Sequence, residues 1–136
     1  MGLAERRIAK DFQENEFANV LTEIKEIVGK DVTVEVDWNS LSLDGMSHLY
    51  QKAWPQVYFE PLTAALKAIC ADEMGKEAIA DELQKVVIKN EADISSAHKW
   101  VSFADKTLTL DHKPTTNLNQ IDDRIKALQK TLEDNL

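Results

Sequence analysis

The chain predicts an α+β fold, a single domain over residues 1–136 in which an antiparallel sheet of about four strands carries helices on one face, in the order α-β-α-α-β-β-β-α. Three observations lead there. Four short stretches alternate apolar and polar residues with a period of two, which suits a half-solvated strand and no helix. Longer segments around them space their apolar residues by three to five, as amphipathic helices do. No linker-like run, internal repeat or low-complexity tract interrupts the pattern, so one domain accounts for the whole chain.

The first helix is expected over residues 3–28, where Ile8, Phe12, Phe17, Val20, Leu21, Ile24, Ile27 and Val28 lie at helical spacing and Gly29 supplies the stop. Residues 32–38 follow as a strand, with Val32, Val34, Val36 and Trp38 turned one way and Thr33, Glu35 and Asp37 the other. Asn39-Ser40 and Asp44-Gly45 are turn formers beyond it. Two or three short helices are expected from 46 to 83. Pro55 disfavours helix at Trp54 and ends the first, Pro61 suits the first turn of the second, and Gly75 weakens the junction with a third.

After Gln84 the period changes to two. Residues 85–89 read as a strand with Val86 and Ile88 opposite Val87 and Lys89, and 90–97 as a polar connection. Residues 100–103 and 107–110 form a hairpin about Ala104-Asp105-Lys106, with Val101, Phe103, Leu108 and Leu110 inward and Trp100, Ser102, Thr109 and Asp111 outward. In the last helix Leu118, Ile121, Ile125, Leu128 and Leu132 step by three and four. Asn117 and Gln120 resemble a capping box there, and Asp122 and Asp123 suit the helix dipole. That stripe is narrow enough to serve as a coiled-coil seam, so a homodimer through residues 118–132 is the alternative to packing on the chain's own sheet.

A formal net charge of -8, with only Arg6, Arg7 and Arg124 as arginines and the lysines scattered, argues against nucleic acid and anionic membranes as partners. Cys70 is the only cysteine, so no disulfide forms within the chain and it reads as a small buried hydrophobe. No stretch has the apolar length of a signal peptide or a membrane span, and a cytoplasmic, soluble protein is expected.

Catalytic and cofactor chemistry leave no signature. Gly2, Gly29, Gly45 and Gly75 stand alone, which excludes the glycine-rich phosphate loops. His48, His98, His112 and Cys70 lack zinc-ligand spacing, and a calcium loop counted from Asp37 fails at Leu41, Ser42 and His48. Asp111 and His112 are adjacent on a strand, which sends them to opposite faces and precludes a dyad. No catalytic residue, metal ligand or cofactor is therefore expected.

Two candidate sites remain. The first is the outer sheet face, where Glu35, Asp37, Trp100, Ser102, Thr109 and Asp111 make an acidic surface with a tryptophan anchor for another protein, provided the 90–97 connection does not cover Trp100. Small acidic immunity or inhibitor proteins fit this description by analogy alone. The second is an aromatic pocket around residues 44–59, with Asp44, His48, Tyr50, Trp54 and Tyr58 as its characteristic groups, in a small-molecule-binding protein or small enzyme.

Overall fold

The computed structural model describes residues 2–42, 45 and 47–136. The stretch expected as one helix is two, α1 (Leu3–Glu14) and α2 (Glu16–Val28). Asn15 interrupts them at φ -110°, ψ -73°. Its side-chain amide turns back on Asp11, donating to the backbone oxygen at 3.0 Å and to Oδ1 at 2.9 Å. This is the local competition by which short polar side chains disturb helices. Gly29 ends α2 at φ 82°, a left-handed turn that suits glycine.

Strand β1 (Thr33–Val36) is shorter than expected, because Trp38 opens a single helical turn, α3 (Trp38–Leu41), whose N-cap is Asp37. The Asp37 Oδ1 accepts from the Ser40 N–H at 3.3 Å. Beyond it a 3₁₀ turn (Ser47–Leu49) runs into α4 (Tyr50–Trp54), a π turn (Pro55–Phe59) and α5 (Glu60–Ile69). Pro55 does not end the helix. Trp54 stays helical at φ -61°, ψ -44°, and the chain passes the proline through a widened turn that the Glu60 N–H closes on the Pro55 carbonyl.

The break falls instead at residues 70–72, before α6 (Glu73–Glu82). Gly75 sits inside the first turn of that helix, where its N–H donates to the Asp72 capping carboxylate at 2.7 Å. A Cβ there would lie 1.8 Å from the Ile69 carbonyl oxygen, so this is a close approach only glycine permits.

The remaining elements are β2 (Lys85–Lys89), β3 (Val101–Ala104), β4 (Thr107–Asp111) and α7 (Ile121–Asn135). They correct the expected antiparallel sheet. The sheet is mixed, in the order β1-β2-β4-β3; β1 pairs parallel to β2, and β2 parallel to β4, while only β3 and β4 run antiparallel. The long helical crossover between β1 and β2 suits a parallel connection. Alternation reports which face a residue takes and is blind to strand direction. The β3–β4 hairpin turns on Asp105 and Lys106 at φ 52° and 61°, the left-handed pair of a tight two-residue turn.

The capping box does not form. Asn117 lies before the helix at φ 52° with its side-chain amide donating to the Ser95 carbonyl at 2.7 Å, and Gln120 caps α7 without a side-chain bond. Leu128 and Leu132 are buried in the chain's own core, where α7 packs against α5 and β3, while Leu118, Ile121 and Ile125 of the same stripe are half-buried.

Inner-face residues Val86, Ile88, Leu108 and Leu110 join Leu62, Leu66, Ile24 and Val28 in one contiguous core. At its end by α1 stands an aromatic group: Tyr50 stacks on Trp54 at 4.4 Å, Phe12 meets Trp54 edge-on at 5.1 Å, and Trp38 lies 5.2 Å from Trp54. No helix among the described residues is long and apolar enough to cross a membrane.

Candidate functional site

The register aligns the outer face in cross-strand rows. Glu35, Val87, Thr109 and Ser102 form one row, Thr33, Lys85, Thr107 and Ala104 another, and Lys89 faces Asp111 at the carboxyl ends of two parallel strands. None of these side chains is buried, whereas the residues between them on the same strands largely are. Side chains on this side of the sheet are exposed or half-buried, and none of them joins the core.

At the end of that face, Lys89, Ile94, Lys99, Trp100, Val101, Ser102, Thr109 and Asp111 line a cleft of about 420 Å³. Four of the six residues expected on the partner face therefore meet in one depression. Asp37 is elsewhere, lining a second cleft of about 420 Å³ with Arg6, Lys10 and Gln13 of α1. Glu35 lies outside both clefts, in an ion pair with Lys85 at 2.9 Å.

Two properties of the face depart from expectation. It is not uniformly acidic, because Lys85 and Lys89 alternate with Val87 on β2 and stand among Glu35, Asp37 and Asp111. Nor does Trp100 project from it. The indole is 2% exposed. Its N–H donates to the Ala97 carbonyl at 3.0 Å, and its ring meets the His112 imidazole edge to face at 5.5 Å. Trp100 precedes β3, where strand alternation no longer governs the side chain, and the 90–97 connection closes over it.

Asp111 holds that connection in place. Its Oδ1 accepts from the Glu91 and Ala92 N–H groups at 2.9 and 3.2 Å, and the Lys113 N–H donates to the Ile94 carbonyl at 2.8 Å. Lys89 pairs with Glu91 at 3.0 Å. Ser102, Thr109 and Lys99 make no side-chain hydrogen bond or ion pair among the described residues, which leaves the cleft with donors free to meet an acceptor.

Tyr50, Trp54 and Tyr58 are fully buried in the core, His48 is exposed, and Asp44 lies outside the described residues.

Beneath the cleft, on the inner side of the same strand end, sits a polar cluster that belongs to neither candidate site. The Tyr58 hydroxyl donates to the His112 carbonyl, and the Arg124 Nη2 lies 3.4 Å from the His112 Nε2 while donating to the Thr116 carbonyl at 2.8 Å. His112 Nδ1 is 2.6 Å from the Lys113 carbonyl. A carbonyl only accepts, so Nδ1 carries the proton and Nε2 is the bare acceptor facing arginine. Burial, aided by the Arg124 charge, pushes the His112 pKa down to about 4. Burial also raises the Tyr58 pKa well above the ordinary phenol value, with the Asp111 charge adding to it, so both groups are neutral near pH 7. Asp111 and His112 point to opposite sides of the strand, as alternation requires.

The signal for this cluster was present. Arg124 falls three residues after Ile121 and four before Leu128, on the apolar stripe of α7. Lys85 and Lys89 are likewise outward residues of β2 by alternation, and their charges stand against acids of the neighbouring strands. No family model matches the chain, and no curated protein or solved structure is found to be similar to it.

Proposed function

We propose that the chain is a protein-interaction module that meets its partner with the outer face of the sheet, the cleft formed by Lys89, Lys99, Ser102 and Thr109 receiving a side chain of that partner. The observation that carries this reading is the outer face itself: all four strands alternate inner and outer residues, and the outer row ends in a cleft with free hydroxyl and ammonium donors. The partner-facing chemistry is mixed polar with a small aliphatic patch at Val87, and Trp100 supports the cleft from within. Interfaces of this composition are common among associations that form and dissolve.

Affinity capture from an extract of the source cells tests it. A protein retained by the native chain should be lost when Ser102→Arg and Thr109→Arg are introduced together, and retained when exposed Arg7 on α1 is changed to Glu. Retention by the doubly substituted chain, with its circular dichroism unchanged, would overturn the proposal.

A further inference from the structure

We propose that Arg124 and Thr116 bind a small monovalent inorganic anion of the chloride class at the amino-terminal end of α7. Arg124 is 0% exposed, yet its guanidinium has no carboxylate within ion-pair distance among the described residues. Its hydrogen bonds within the protein run through Nη2 alone, to a neutral imidazole nitrogen and a backbone carbonyl, neither of which carries charge. Nε and Nη1 are buried without a hydrogen-bond partner among the described residues, and so is the Thr116 hydroxyl. A buried cation in this condition is among the costliest arrangements a protein interior holds, and an anion relieves the charge and the unmet donors together.

The surroundings set the ligand's charge and size. Arg124 lies in the first turn of a 15-residue helix whose N-cap, Gln120, makes no side-chain bond, so the helix end adds positive potential. Asp122 and Asp123 share that turn, and Asp111 lies across His112. Those carboxylates oppose a second negative charge, which disfavours sulfate and phosphate. Complete burial of the guanidinium restricts the ligand to a monatomic or similarly small ion. The guanidinium adjoins residues 113–120, a segment outside helix and strand in which Thr115 and Thr116 are only half-buried.

Thermal unfolding of the full chain at constant ionic strength, with gluconate replaced stepwise by chloride or bromide, tests the site. Saturable anion binding to the folded chain alone predicts a rise of about 3 °C that levels off, with bromide equal to or above chloride. The rise should vanish in Arg124→Met, which keeps the bulk of the side chain. Because that variant risks misfolding, crystals of the native chain soaked in bromide provide a second readout. An anomalous peak within hydrogen-bond distance of the Arg124 guanidinium is expected. A melting temperature that follows ionic strength alone, or water without anomalous signal beside the guanidinium, would overturn the proposal.

Discussion

The two sides of β4 differ in what they contribute. Leu108 and Leu110 have no exposure and pack among residues of α5 and α7, while Thr107, Thr109 and Asp111, one residue away each, face solvent half-buried. The same division runs across β2, where Val86 and Ile88 are buried and Lys85, Val87 and Lys89 are not. Backbone bonding is common to both sides, so whatever distinguishes them resides in side chains. On the inner side free energy comes from apolar burial and fails if atoms are removed. On the outer side little is buried, so substitutions there remove little of that free energy.

The largest expected effect sharpens this directly. Leu110→Ala should destabilise the chain by about 3 kcal/mol, from lost transfer energy and the cavity left behind, whereas Thr109→Ala should cost at most about 0.5 kcal/mol. Urea denaturation of the two variants makes the comparison, and similar losses would break the distinction.

Acid probes the polar exception on the inner side. The folded-state pKa of His112 is lowered to about 4 from 6.5. Between those pH values the unfolded chain takes up a proton that the folded one refuses. Stability is therefore fully present above pH 6.5, falls as pH drops toward 4, and stops falling from this source below it. The total loss is up to about 3 kcal/mol. Urea midpoints measured across that range should slope accordingly, and His112→Gln should remove most of the slope.

The smallest effect lies outside. Lys85→Ala breaks the Glu35 pair, which is substantially exposed on both sides, and should change stability by no more than a few tenths of a kcal/mol. A loss above about 1 kcal/mol would mean that the outer row helps hold the sheet together.

The faces of the strands were legible in the sequence because the pleat forces alternation, and Val86, Ile88, Leu108 and Leu110 all fell on the side assigned to them. Strand direction was not, since a half-solvated parallel strand and an antiparallel one carry the same alternation. The break at Asn15 was hidden because Phe12 and Ile24 contribute to one core on either side of it. Gly75 looked like a junction, but tight packing on Ile69 requires it inside a helix. Of the candidate site, Ser102, Thr109 and Asp111 line one cleft, and the Asp111 carboxylate accepts from the 90–97 connection. Trp100 was misplaced because it lies one residue before β3, where its indole turns back toward Ala97.

The division between the two faces is tested most directly by footprinting. With a captured partner in hand, lysine acetylation of the full chain should be compared in the free and bound states. Protection of Lys85, Lys89 and Lys99, with Lys10, Lys52 and Lys130 modified equally in both, is the predicted result. Protection at Lys10 or Lys130 while the three outer-face lysines stay reactive would contradict the account.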